Sequence, residues 1–112
     1  MKKALKIAQQ DTVATALEHI AKHEELTIIE SDGSVSAVLK AEDRIPFGFK
    51  VAIQKIRKHE KVIKYGTEIG VSTSDIEPGH LIHIHNVQSN RIPIPEERIR
   101  QMMKDMNIEM LD

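Results

Sequence analysis

Short runs of aliphatic and β-branched residues, separated by glycine and polar turns, dominate the hydrophobic pattern from residue 26 to residue 87. Residues 26–29 and 35–39 flank a Ser-Asp-Gly-Ser turn, which predicts a β-hairpin. Further runs predict strands over 50–53, 62–65, 69–73 and 81–87. This texture is typical of a small, mostly β domain with many turns.

Helical spacing of apolar residues replaces this pattern at both ends of the chain. Asp11 is placed to cap a short helix over 12–21. Near the C-terminus, Pro93 and Pro95 end the strand pattern, and a second helix starts at residue 95 or 96. The apolar stripe of the first helix would consist of Val13, Ala16, Leu17 and Ile20. The stripe of the second would consist of Ile99, Met102, Met103, Met106 and Met110.

The methionine-rich stripe has two interpretations, which the sequence leaves open. It packs back on the domain's own core, or it forms a surface for a partner or a second copy of the chain, since methionine suits adaptable contacts. The change of pattern divides the chain into a β-domain over 1–90 and a helical tail over 91–112.

An internal repeat explains two of the six histidines. Residues 16–26 (ALEHIAKHEEL) resemble residues 52–62 (AIQKIRKHEKV), and residues 75–82 form a shorter third copy. Each copy contains an isoleucine, a turn and the start of a strand, and the turn positions are His23, His59 and Gly79. The glycine indicates a positive φ at this position, which histidine tolerates better than branched residues do. We therefore predict that His23 and His59 are turn residues rather than metal ligands.

Composition excludes several classes of function. A net charge of −1 and an aromatic share of 3% provide neither a basic field nor stacking platforms, so we expect no nucleic-acid partner. The chain has no cysteine, and therefore no disulfide and no thiolate nucleophile. No apolar run reaches the roughly 20 residues that span a bilayer, and no secretory signal is recognisable, which predicts a cytoplasmic protein.

The candidate chemistry is concentrated in His83-Ile84-His85-Asn86. If residues 81–87 form a strand, His83 and His85 lie on the same face of it. Imidazole is the commonest neutral metal ligand, but a metal site needs three or four ligands. His80 is out of phase with His83 in such a strand. The pair therefore predicts part of a divalent metal site, which a partner chain, a symmetry mate or solvent would complete, or a contact to an acid substrate. The alternative is a strand whose polar face carries two histidines without a function.

The stretch over 45–86 resembles the SAF domain of altronate and galactarate dehydratases, and equally the free-standing small subunit of sulfolactate sulfo-lyase. The segment over 11–17 also resembles the opening of that family. The resemblance implies a β-clip fold, which agrees with the glycine-punctuated strands. The matching pieces are IPFG at 45–48, KVA at 50–52, VIKYG at 62–66, IG at 69–70, DI at 75–76 and HIHN at 83–86.

The resemblance also implies a chemistry, the β-elimination of water or sulfite from an acid. His83 and His85 would bind a divalent metal (iron, manganese or magnesium), and Lys50 and Asn86 would bind the substrate. One departure is Phe49, where family members often have histidine, because phenylalanine can neither bind a metal nor transfer a proton.

We therefore predict a small SAF-type subunit of a sugar-acid dehydratase, which acts on a polyhydroxy acid together with a separate large catalytic subunit. One alternative is the small subunit of a sulfolactate-type sulfo-lyase. Another is a non-catalytic module that binds a carbohydrate acid or a protein, which Phe49 favours.

Overall fold

Short strands account for most of the regular secondary structure in the computed structural model, which describes residues 1–89 and 95–108. The predicted mostly β, SAF-like fold with a C-terminal helix is confirmed. The strands are β1 (Lys2–Leu5), β2 (Val13–Ala16), β3 (Glu25–Ile29), β4 (Val35–Lys40), β5 (Lys50–Ala52), β6 (Lys61–Lys64), β7 (Thr67–Ser72), β8 (Leu81–Ile82) and β9 (Val87–Gln88), and the helix is α1 (Glu96–Asp105).

The strands form two sheets. The larger has the order β4-β3-β1-β2-β5-β8, and the smaller has the order β6-β7-β9. Neighbouring strands are antiparallel except β1 and β3, which are parallel. The predicted hairpin is formed by β3 and β4, and the strands predicted over 50–53, 62–65 and 69–73 correspond to β5, β6 and β7.

Strands β2, β5 and β8, at one end of the larger sheet, are buried on both faces. Alternate residues of each strand enter two separate apolar clusters, which is why these short segments are almost continuously apolar. The first cluster takes Ala14, Val51 and Leu81, and the second takes Val13, Ala52 and Ile82.

The internal repeat corresponds to a turn that occurs four times within the described residues. The predicted positive φ is confirmed at His23 (74°), His59 (74°) and Gly79 (94°). A fourth copy, which the sequence pattern did not reveal, has Gly48 at the same position with φ 83°. In each copy the residue two before this position accepts a hydrogen bond from the residue one after it, as in a type II turn. The isoleucines that precede the turns pair as Ile20 with Ile45 and Ile56 with Ile76.

The helix predicted over 12–21 is wrong, since this segment contains strand β2. Val13, Ala14 and Ala16 are all buried, because β2 lies between β1 and β5 and is covered on both faces. Burial on both faces removes the alternation that identifies a strand, so the apolar positions matched a helical stripe by chance. Asp11 does accept backbone N–H groups, but those of Ile7 and Ala8 rather than those of a helix start.

The predicted C-terminal helix is confirmed as α1, and it packs on the domain's own core. Met103 is fully buried in the first cluster, and Ile99 and Met106 pack against that cluster. Asn107, with φ 56°, ends the helix, and the N–H of Ile108 donates to the carbonyl of Met103 over 2.9 Å. This is the Schellman arrangement that commonly ends helices.

Three earlier predictions concern the same region. Met110 and Pro93 lie outside the described residues, and the division between 1–90 and 91–112 stays a prediction.

Among residues 1–89 and 95–108, no helix has the length and apolar character needed to cross a membrane.

Candidate functional site

The His83-Ile84-His85-Asn86 segment forms a turn rather than part of a strand. Strand β8 ends at Ile82, and β9 begins at Val87. The carbonyl of His83 accepts hydrogen bonds from the N–H groups of Asn86 and Val87, both over 3.1 Å. The strand predicted over 81–87 is therefore wrong, and so is the argument that strand alternation places His83 and His85 on one face.

The side chain of Asn86 explains why the chain turns here. Asn86 is 7% exposed; its Oδ1 accepts the N–H of His83 over 3.0 Å, and its Nδ2 donates to the carbonyl of Leu81 over 2.7 Å. The amide therefore replaces the ladder hydrogen bonds that a continuing strand would have made. Because both ends of the amide serve this turn, the observed role of Asn86 is to position the histidines. Direct contact between Asn86 and a substrate stays a prediction.

Two aromatic rings meet at the start of the turn. The rings of His83 and Phe49 contact edge to face, with centroids 5.0 Å apart. Burial lowers the pKa of His83 below 6.5, and the charge of Lys50 lowers it further. The imidazole is therefore neutral near pH 7, which is the form that binds a metal or accepts a proton.

His85 is more strongly perturbed than His83. Burial lowers its pKa to about 4; the carboxylate of Asp43 opposes this shift, while His83 and His80 add to it. Its Nδ1 is buried and has no hydrogen-bond partner within the described residues. Buried polar atoms in folded proteins nearly always have a partner, so a water molecule, an ion, a ligand or a group of another chain would satisfy this nitrogen.

Asp43 and His80 form a side-chain hydrogen bond that the sequence did not suggest. Oδ2 of Asp43 lies 2.9 Å from Nδ1 of His80 and also accepts the N–H of Leu81 over 2.9 Å. The two residues are 37 positions apart, so only the folded structure brings them together. The pair fixes the start of β8, immediately before the histidine turn.

The described part of the chain does not complete a metal centre. Within residues 1–89 and 95–108, no three side chains of the His, Cys, Asp or Glu type are grouped closely enough to hold a metal ion. His83 and His85 have the neutral, partly buried imidazoles that a metal requires, but they would need further ligands. The predicted metal site stays a prediction.

Lys50 lies beside the turn, on strand β5 of the larger sheet. It pairs with Thr15 of β2 and Ile82 of β8. Burial lowers the pKa of Lys50, and the nearby charge of Lys64 lowers it further. Neither lysine has an ion-pair partner among the residues that the structure describes.

The family of this fold is shown by its sequence. Residues 2–90 match the family model of the altronate/galactarate dehydratase SAF domain. The chain belongs to this family. The short strands, the type II turns and the histidine turn described above therefore belong to a member of this family.

Similar proteins include altronate dehydratases and sulfo-lyase alpha subunits. The chain is 37% identical to an altronate dehydratase of Bacillus subtilis over 90 residues, which cover 80% of this chain and 17% of that enzyme. It is 30% identical to an altronate dehydratase of Escherichia coli over 108 residues, which cover 96% of this chain and 21% of that enzyme. It is also 38% identical to the (2R)-sulfolactate sulfo-lyase subunit alpha of Paracoccus pantotrophus over 66 residues, which cover 59% of this chain and 97% of that subunit.

The chain spans about a fifth of the length of the altronate dehydratases that it matches. The match to the Escherichia coli enzyme covers 96% of the chain, and it therefore includes most of helix α1. The helix that packs on the core is thus part of the shared sequence.

Proposed function

We propose that this SAF domain is the small unit of a sugar-acid dehydratase and acts together with a large catalytic partner. The observation that carries the proposal is the buried Nδ1 of His85, which has no hydrogen-bond partner among residues 1–89 and 95–108, within a domain of this family. In such a complex the histidine turn would face the active site, and a group of the partner or a metal ion would satisfy that nitrogen.

The chemistry assigned to the complex is β-elimination of water from a polyhydroxy acid. A base removes the proton α to the carboxylate, positive charge stabilises the resulting enediolate, and an acid protonates the leaving hydroxyl. His83 and His85 would be two imidazole ligands of a divalent metal, which would supply Lewis-acid stabilisation of the enediolate. Lys50 would add positive charge beside them, and Asn86 holds the turn in place.

A sulfo-lyase is the second candidate. Its support is the match to a sulfo-lyase alpha subunit, of which the aligned region covers 97%. The same site would then act on a sulfonated acid, and sulfite rather than water would leave.

The proposal is tested by co-expressing the chain with its cognate large subunit and assaying the purified complex. A panel of hexonates and hexarates should yield 2-oxo acid products, whereas sulfite release from sulfolactate would favour the second candidate. The double variant His83→Ala/His85→Ala should lose activity by about 10² or more, the scale of losing positioned acid–base or metal ligands. A double variant of exposed histidines, His19→Ala/His23→Gly, is the control and should keep its activity. Full activity of the large subunit alone would refute the proposal.

Phe49 allows a second test, which measures metal binding directly. Its ring contacts His83, so Phe49→His places a third imidazole beside the proposed ligands. We expect this variant to bind Mn²⁺ or Zn²⁺ at least about tenfold more tightly than the unmodified chain by calorimetry, because each added ligand strengthens a metal site. Phe47→His is the matched control, since Phe47 lies in the same turn but is 70% exposed. Equal metal affinities for the two variants would argue against a metal at His83.

A further inference from the structure

Four side chains converge where strands β2 and β5 face the hairpin β6–β7. Thr15 and Lys50 are direct partners across β2 and β5, so their side chains lie on the same face. The hydroxyls of Thr15 and Tyr65 are 3.4 Å apart, and Nζ of Lys64 lies 4.7 Å from the centre of the Tyr65 ring. The result is a polar surface with two hydroxyls and two ammonium groups.

The hairpin is attached firmly to β2 at this point. The N–H of Thr12 donates to the carbonyl of Ile63 over 3.0 Å, and the Thr12 hydroxyl accepts the N–H of Ile63 over 3.0 Å. Just beyond, Oδ1 of Asp11 accepts the N–H of Gly66 over 2.7 Å. These bonds hold the Tyr65-Gly66 turn against the larger sheet, so the four side chains are arranged before any ligand binds.

Tyr65 adopts a backbone conformation that is costly for a tyrosine. Its φ is 55°, and that of Gly66 is 75°. Two successive positive φ values at a two-residue hairpin match a type I′ turn, which favours asparagine or glycine. A side chain in this left-handed region costs on the order of 1 kcal/mol, and such strain is concentrated at functional sites. The conformation directs the phenol towards Thr15 and Lys64.

The two lysines, Lys50 and Lys64, have no carboxylate partner in the part of the chain that the structure describes. Burial and then the charge of Lys64 lower the pKa of Lys50, so the two ammonium groups oppose each other. No carboxylate within residues 1–89 and 95–108 forms an ion pair with either of them. An anion bound between them would remove this repulsion. By contrast, Lys61 on the same strand as Lys64 has Glu68 as a partner at 3.7 Å.

We propose that Lys50, Lys64, Tyr65 and Thr15 form an anion subsite that holds the carboxylate or sulfonate end of a small hydroxy acid. The lysines bind the charged oxygens, and the two hydroxyls hydrogen-bond an oxygen of the anion or an adjacent hydroxyl of the ligand. His83, which is near enough to Lys50 for the lysine charge to lower its pKa, would lie on the side of the ligand's reacting carbons. This assignment rests on the proposed function for the choice of ligand, but the binding test needs only this chain.

The test is a titration of the ¹⁵N-labelled full chain, followed by amide and lysine side-chain NMR shifts. The probes are gluconate as a carboxylate, 2-hydroxyethanesulfonate as a sulfonate, and sorbitol as an uncharged polyol. We expect at least one anion to shift resonances of residues 15, 50, 64 and 65 with a millimolar Kd, and to bind at least about tenfold more tightly than sorbitol. Tighter binding of gluconate would favour a dehydratase, and tighter binding of 2-hydroxyethanesulfonate would favour a sulfo-lyase. Either result supports the subsite.

Variants separate this subsite from general surface charge. Lys64→Met should weaken anion binding about tenfold, Lys64→Arg should keep most of it, and Tyr65→Phe should weaken it about threefold. Lys61→Met is the control, since it removes the same charge from the same strand, and it should change Kd less than twofold. The amide spectrum of each variant shows whether the chain remains folded.

Sorbitol binding as tightly as both anions, or equal Kd values for Lys64→Met and Lys61→Met, would overturn the subsite. If this chain binds the anion as expected but its complex with the large subunit has no lyase activity, the proposed function alone is refuted.

Discussion

Asp11 connects the two sheets, and its replacement by asparagine is a sharp test of how the fold is held together. Its side chain is 2% exposed, and both carboxylate oxygens accept backbone N–H groups. Oδ2 binds the N–H groups of Ile7 at 3.2 Å and Ala8 at 3.0 Å, and Oδ1 binds that of Gly66 at 2.7 Å. Asparagine has nearly the same shape but only one acceptor oxygen, so its NH₂ group must face at least one N–H donor.

The expected loss of folding stability in Asp11→Asn follows from these hydrogen bonds. A hydrogen bond to a charged group contributes about 1.5–3 kcal/mol, and a buried donor left without a partner costs about 1–3 kcal/mol. In Asp11→Asn at least one charge-assisted bond is lost, and the others become neutral. We therefore expect the free energy of unfolding to fall by roughly 3 kcal/mol, which corresponds to a Tm decrease of roughly 10–15 °C for a domain of this size.

The pH dependence gives this prediction a second readout. Burial raises the pKa of Asp11, but the N–H groups of Ala8, Gly66, Tyr65 and Ile7 together outweigh burial and hold the pKa below its ordinary value of 3.8. A carboxylate with a lowered pKa stabilises the folded state above pH 3.8, and this contribution is lost as the pH falls through the folded-state pKa. The difference in stability between the unmodified chain and Asp11→Asn should therefore be full at pH 7 and shrink below pH 3.8.

Urea denaturation at pH 7 and between pH 2.5 and 4 measures both effects. The control is Asp32→Asn, because Asp32 also accepts hydrogen bonds, from Ser34 at 2.9 Å and 2.6 Å, but lies in an exposed turn. Asp32→Asn should change the urea midpoint far less. If the two variants are equally stable at pH 7, Asp11 does not hold the sheets together as argued here.

The other predictions concern the turns and the C-terminal helix. Gly79→Ala should be at least about 2 kcal/mol more destabilising than Gly48→Ala. Both glycines have positive φ, but a Cβ at Gly79 would overlap the carbonyl oxygen of Lys40, whereas a Cβ at Gly48 meets nothing within 4 Å. Comparable urea midpoints for these two variants would show that this close approach is absent. Met103→Ala should cost about 2–5 kcal/mol because Met103 is fully buried in the first cluster, while the half-buried Met102→Ala should cost much less, and thermal melts measure both. A Met103→Ala protein with unchanged Tm would mean that α1 does not pack on the core in solution.

The local signals in the sequence predicted most of the fold correctly. The hairpin β3–β4, the strands β5 to β7 and the helix α1 depend on turn residues and on short-range periodicity, which the chain carries locally. The repeat predicted a positive φ at His23 and His59 for the same reason, since a turn imposes its conformation on single residues. Residues 45–86 also identified the family, which the match over residues 2–90 confirms.

Tertiary structure decided the parts that depend on distant partners. Val13–Ala16 is a strand because β1 and β5 flank it, and the residues next to it in the sequence do not indicate this pairing. The histidine turn is an exception: Asn86 ends β8 by bonding the backbone of His83 and Leu81, which are only three and five residues away, and strand alternation did not reveal this local contact.

The residues that meet beside the histidine turn and in the proposed anion subsite are likewise far apart in the chain. Asp43 meets His80 across 37 positions, and Thr15 meets Tyr65 across 50. Sequence alone therefore determined the family, most of the secondary structure and the candidate histidines. Which side chains surround those histidines was decided only by folding, because strand pairing between distant segments sets those neighbours.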